Sequence, residues 1–232
     1  MDTRESLLSL EKVSRIYGDD VKVHALREVS LDIFSGDFMS IIGPSGSGKS
    51  TMLGLLGLLD VPTLGRVIVK ETESTGLGDV ERSQLRGQTI GFVFQQFHLI
   101  PHLTALGNVE TALLYRGLSN SERRKKAFES LEKVGLSERS EHRPVQLSGG
   151  EQQRVAIARA IVTDPLVVLA DEPTGALDSE NAENIMQIFA DLKSPERAVC
   201  LVTHDMEIAD ATDRRVSMKD GEIVEDISRE ER

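Results

Sequence analysis

The sequence has no tryptophan, one cysteine, and only two tyrosines and seven phenylalanines among its 232 residues. The lone cysteine, Cys200, excludes an internal disulfide and any zinc site built on cysteines. It falls inside the apolar run AVCLVT and is expected to be a small buried hydrophobe. No stretch reaches the roughly 20 uninterrupted apolar residues of a membrane-spanning helix. The nearest, MLGLLGLLDV, holds two glycines and follows a glycine-rich turn, so it reads as a buried helix. If the protein acts at a membrane, something else must cross it. The opening MDTRESLLSLEKV shows no secretory signal pattern. An excess of basic charge is missing too. With 27 Lys and Arg against 38 Asp and Glu the net charge is −11, which argues against nucleic acid as a partner held on a general basic surface. The basic run ERRKK at 122–126 reads as a solvated helix face.

What remains, 39% apolar and 28% charged residues without repeats or low-complexity tracts, suits one folded domain with a small sub-domain. Strand-like runs at 7–13, 27–33 and 38–43 are separated by Gly- and Asp-bearing turns, and the third leads through a Gly-rich turn into a helix. A strand at 65–70 reads as the return edge of a first, partly antiparallel region, and 88–96 as a buried strand with a polar end. From about 104 to 143 the period is helical. There Ser119 and Glu122 form a capping-box pattern, Ala127, Leu131 and Val134 follow at helical spacing, and Gly135 ends the run. Strands at 166–172 and 198–203 then alternate with helices at 179–193 and 205–212, and two short strands flank a turn at Asp220-Gly221. This order predicts an α/β fold: a P-loop core with a mostly parallel sheet, an N-terminal antiparallel β region and an inserted α-helical sub-domain.

The turn GPSGSGKST comprises Gly43, Pro44, Ser45, Gly46, Ser47, Gly48, Lys49, Ser50 and Thr51, and it matches the phosphate-loop pattern between a strand and a helix. Its glycines let successive N–H groups converge on phosphate oxygens, and the helix start adds partial positive charge. Lys49 is placed to reach the β- and γ-phosphates, and Ser50 to ligate Mg2+. LVVLADEP supplies the acidic partner at the end of a buried strand. Asp171 is the expected Mg2+ partner, directly or through water, and Glu172 can accept a proton from an attacking water.

A second phosphate-seeking turn, LSGGEQQR at 147–154, opens another helix. Ser148 is a hydroxyl N-cap that can donate to a phosphate oxygen, and Gly149 and Gly150 allow close approach. One domain has no obvious use for two such turns. Together with the phosphate loop, Gln95, the Asp–Glu strand at 167–172, the GALD segment at 175–178 and His204, this string resembles the ABC ATPase family, in matching order across almost the whole chain.

The resemblance implies that two copies pair head to tail, so that Ser148, Gly149, Gly150, Glu151 and Asp178 of one copy serve ATP held by the other. It implies that Tyr17 stacks on adenine, the alternative being a loop tyrosine half-buried on the sheet. Gln95, with Gln96 as its alternative, would reach Mg2+ or the lytic water, and His204 would contact the γ-phosphate and help hold the water of Glu172. Asp178 could equally cap the helix that starts at Ser179. It further implies a core of 1–95 and 161–232 with a helical sub-domain at 96–160.

Two stretches, 90–110 and 161–189, look like the lipoprotein-releasing and macrolide-export branch. A cytoplasmic ATPase, peripheral on the inner membrane face, would then drive a separate permease docked near Phe97–Leu103, through Phe97, Leu99, Ile100 and Leu103. The cargo class would be lipoprotein, peptide, antibiotic or haem. The alternatives are a regulatory or mechanical ATPase acting through a membrane partner on a cell-wall enzyme, and a stand-alone nucleotide kinase.

Overall fold

A computed structural model describes residues 4–18 and 20–231. Two sheets stack on a shared core. The first is antiparallel, in the order β2 (Val23–Phe34), β1 (Ser6–Tyr17), β4 (Leu64–Val69), β5 (Thr72–Glu73). The second has six strands in the order β10 (Glu222–Ser228), β9 (Arg214–Lys219), β3 (Phe38–Ile42), β8 (Ala198–Val202), β7 (Val167–Asp171), β6 (Ile90–Val93). Its pairs from β9 through to β6 are parallel, and β10 returns antiparallel across the Asp220-Gly221 turn.

The continuous apolar runs of β7 and β8 follow from burial on both faces. Val167, Leu169, Cys200 and Val202 join the core beneath the antiparallel sheet and helix α1 (Lys49–Leu56). Val168, Ala170, Val199 and Leu201 join a second core against the helices on the other face. Cys200 is fully buried, and burial pushes its thiol up to about 12. On the helical side, α3 (Ala105–Glu110), α4 (Asn120–Lys133) and α5 (Gly149–Ile161) pack on one another, and α5 also rests on β6. The cap read at Ser119 forms: its N–H donates to Glu122 Oε2 at 2.9 Å, and the Glu122 N–H returns to its hydroxyl. Helices α6 (Ser179–Leu192) and α7 (Met206–Asp210) follow β7 and β8.

The expected strand at 88–96 is corrected. Only Ile90–Val93 is strand, and Gln88 and Thr89 end a helix, α2 (Asp79–Thr89), that the apolar pattern did not announce. The reason is physical. Helix α2 buries none of its residues, so it carries no apolar stripe for a periodicity argument to find. Among the described residues no helix is long and apolar enough to cross a membrane.

Buried Asp37, at the turn into β3, ties the two sheets at the edge opposite the phosphate loop. Its carboxylate accepts from Arg4, from the Phe34 N–H at 3.0 Å and from Arg214 Nη1 at 3.0 Å. Removing one member of a buried charge cluster strands its partners. Asp37→Ala is therefore expected to lower unfolding free energy by about 3 kcal/mol in urea titrations. A loss below about 1 kcal/mol would show the cluster to be incidental.

Candidate functional site

Strand β3 delivers the chain into the phosphate loop, and α1 starts at Lys49. Two glycines there have a geometric reason. Gly46 sits at φ +81° facing open space, whereas at Gly48 (φ +101°) a Cβ would lie 2.5 Å from the Ala25 carbonyl. Lys49 folds back over the loop, and its ammonium donates to the carbonyls of Gly43 (2.6 Å) and Pro44 (3.0 Å). The Ser47 hydroxyl is buried without a hydrogen-bond partner among the described residues.

A cavity of 690 Å3 opens above this loop. Ser45, Gly46, Gly48, Lys49, Ser50 and Thr51 line its floor. Gln95, Asp171, Glu172 and His204 line the wall beyond, so the structure brings together the residues picked out for catalysis and magnesium. Gly43, Pro44 and Ser47 do not line the cavity: Ser47 is buried, Gly43 half-buried and Pro44 exposed. Tyr17 does not line this cavity; its strand partner Val23 does, beside His24 and Ala25.

Glu172 lies just past β7 with φ 44°, in the left-handed region, and its N–H donates to the Val202 carbonyl at 2.8 Å. His204 Nδ1 meets Glu172 Oε1 at 2.7 Å, and the Thr203 hydroxyl donates to Oε2 at 3.3 Å. Thr203 is a contact that the sequence reading missed; its only signal is its place between a buried strand and His204. The hydrogen bond that the His204 ring donates to Glu172, reinforced by that carboxylate's charge, raises the His204 pKa. Asp171 is also raised, first by burial and then by neighbouring Glu172, while Lys49 pulls the other way.

The second turn lies elsewhere. Ser148 caps α5: its hydroxyl accepts from the Glu151 N–H at 3.2 Å, and its own N–H donates to Glu151 Oε2 at 2.8 Å. That backbone bond chiefly holds Glu151 below the usual carboxylate range, and Arg139 stands 3.3 Å away. Gly150 packs so tightly that a Cβ would meet Asn181 Oδ1 at 2.2 Å. Asp178 caps α6, accepting from the Asn181 N–H at 2.9 Å. None of Ser148, Gly149, Gly150, Glu151 or Asp178 lines the cavity over the phosphate loop.

The donor set suits a magnesium-bound polyphosphate. Helix-start N–H groups and an ammonium face the cavity, with one hydroxyl (Ser50) and one carboxylate (Asp171) for the ion. Among the described residues no group of three or more His, Cys, Asp or Glu side chains could hold a metal by itself. Mg2+ fits this sparse set, since it commonly takes one or two protein ligands plus phosphate oxygens and water.

The family model described as ABC transporter matches residues 26–175. An uncharacterized ABC transporter ATP-binding protein of Thermotoga maritima is 49% identical over 220 residues, covering 94% of each chain. The macrolide export ATP-binding/permease protein MacB of Hyphomonas neptunium is 47% identical across 95% of this chain, which spans 34% of that longer protein. The dimeric post-hydrolysis structure of the ATP-binding cassette MJ0796, from Methanocaldococcus jannaschii and bound to ADP and Pi, superposes with TM-score 0.87. It is 47% identical, with 96% of this chain and 98% of that one covered.

The His204–Glu172 pair carries a pH signature. Because the folded pKa of His204 is raised, the pair's contribution is complete below the unfolded value near 6.5 and disappears as pH climbs through the folded value. NMR titration of the His204 ring is expected to give a midpoint above that of a free histidine, returning toward it in Glu172→Gln. An identical midpoint in both proteins would remove Glu172 as the cause.

Proposed function

The chain belongs to the ABC transporter family, and from that footing we propose which residues bind and hydrolyse ATP and how a second copy completes the site. The protein is an ATPase of this family. The loop amides from Gly46 to Thr51 and the Lys49 ammonium hold the phosphates, and Tyr17 stacks on the base. Lys49 exchanges two carbonyl partners for charged oxygens, which form stronger hydrogen bonds. Ser50 and Asp171, with Gln95 on the same cavity wall, would hold Mg2+, and the ion would supply charge neutralisation to the phosphates.

Glu172 takes a proton from a water as that oxygen attacks the γ-phosphorus, and the bond to the β-bridging oxygen breaks to leave ADP and phosphate. Thr203 and His204 fix both oxygens of Glu172. His204 lines the same cavity as Lys49, and on ATP binding it turns from Glu172 to the γ-phosphate.

The observation that carries the reading is the separation of the two phosphate-seeking turns. The Ser148 turn is preformed on α5 but does not line the cavity over Lys49. It is free to cover the nucleotide of a second copy, as suits likeness to a cassette solved as a dimer. Charge stabilisation on the transferred phosphoryl then comes from Lys49 of one copy and Ser148 of the other.

We assign the membrane contact to the inner face of a permease, beside Phe97–Leu103 on the 96–160 helical lobe. Phe97, Leu99, Ile100 and Leu103 are half-buried there, and a 420 Å3 cavity lined by Phe94, His98 and Arg159 opens next to them. Likeness to a macrolide export protein supports an export or extrusion role.

Glu172→Gln is expected to keep ATP binding, lower turnover by about 10²- to 10⁴-fold, and accumulate an ATP-bound dimer by size exclusion. Near-normal steady-state turnover in that variant would take Glu172 out of the proton-accepting role. Ser148→Ala is expected to lower kcat while leaving ATP affinity of the single chain intact, as a residue acting across the dimer should.

A further inference from the structure

We propose that Asp60 is a positioning residue for nucleotide binding: its carboxylate, with Arg15, fixes the Tyr17 ring in the pose on which the purine stacks. The proposal rests on the reading of Tyr17 given above, and it adds two residues to which that reading assigns nothing.

Asp60 follows the C-terminal end of α1, where its own N–H is held by the Gly54 carbonyl at 3.2 Å. Four donors fill its carboxylate. Tyr17 Oη and Arg15 Nε both donate to Oδ2 at 2.8 Å, while Arg15 Nη2 and the Val61 N–H reach Oδ1 at 2.8 Å. A fork of this kind is a two-point contact with little freedom to pivot. Arg15 also lies over the Tyr17 ring, with its guanidinium carbon 4.5 Å from the centroid. One ring face is therefore covered and the hydroxyl is tethered, which leaves the opposite face and a fixed ring plane. Burial works against the Asp60 charge, but the bonds from Tyr17 and Val61 and the nearby Arg15 outweigh it and depress its pKa.

An ion pair that merely stitches β1 to the α1–β4 connection would need only Arg15 and Asp60. It would not require a tyrosine hydroxyl on the same oxygen, nor a ring left 40% exposed next to Val23, which lines the phosphate cavity. The link to the phosphates is mechanical. Helix α1 begins at the phosphate loop and runs about 12 Å at the usual rise per residue, and the turn that follows it ties the Leu59 and Asp60 N–H groups back to the Gly54 carbonyl. The same rod thus sets the floor of the phosphate site and the anchor of the ring.

The test uses the purified full chain, titrated calorimetrically with ATP and with inorganic tripolyphosphate, each in the presence of Mg2+. Stacking a base on an aromatic side chain is worth roughly tenfold in affinity, and a misoriented ring forfeits much of it. Asp60→Asn should therefore weaken ATP about three- to tenfold and leave tripolyphosphate unchanged. Tyr17→Phe, which cuts the tether but keeps the ring and the Arg15–Asp60 pair, should weaken ATP in the same direction by a smaller factor. It carries the test if the Asp60 variant does not fold. In a Tyr17→Ala background, Asp60→Asn should add nothing. Equal losses for both ligands, or additive losses with Tyr17→Ala, would reduce Asp60 to a structural residue. If Tyr17→Ala weakens ATP and neither Asp60→Asn nor Tyr17→Phe does, the positioning role alone is refuted. If Tyr17→Ala leaves ATP affinity intact, the stacking role fails and takes this proposal with it.

Discussion

Two adjacent carboxylates at the mouth of a buried strand set the terms for the whole site. Along an extended strand Asp171 and Glu172 would face opposite ways. Glu172 instead takes a left-handed φ of 44°, and both side chains line one cavity. A non-glycine residue in that region costs about 1–3 kcal/mol, and the surrounding contacts offset it. The Glu172 N–H is tied to Val202, and its oxygens to Thr203 and His204, all at the end of the neighbouring strand β8. Strand β8 stands between β7 and β3, so one parallel sheet aligns the phosphate loop, the acids and the histidine along a single edge. This is where open α/β sheets place ligands in general.

That arrangement leaves the second phosphate-seeking turn outside the cavity of the first. The phosphate loop and its acids come together within a single copy. The Ser148 turn is held by its own cap, by Arg139 beside Glu151 and by Asn181 against Gly150, and it does not line the nucleotide cavity. A preordered surface loses little entropy when it is engaged. Two copies of net charge −11 repel one another, so association should depend on hydrogen bonds that a shared nucleotide accepts from both.

What the sequence disclosed and what it hid divide along physical lines. Strands β7 and β8 were legible because burial on both faces demands unbroken apolar runs, and α4 because Ser119 and Glu122 announce its cap. Helix α2 was hidden because it has no fully buried residue and packs only Leu85 against the core as an apolar contact. Strand β1 runs on to Tyr17, past an irregularity between Leu10 and Val13 with Lys12 at φ 47°, which no local pattern marks. In the site, Lys49, Ser50 and Asp171 were readable from motif spacing. The resting partners of Lys49, the Thr203 contact and the grip of Asp60 on Tyr17 were not. The last of these joins residues 43 apart in the chain, a contact created by tertiary packing alone.

Cys200 has a practical corollary. It is the sole thiol, sealed in the central sheet and shifted to about 12, so it offers almost no thiolate at neutral pH. The native chain is thus close to a blank background for maleimide or spin-label chemistry. A cysteine introduced on the α5 turn and another near the phosphate loop would report the distance between facing copies, with no need to strip out the natural residue first.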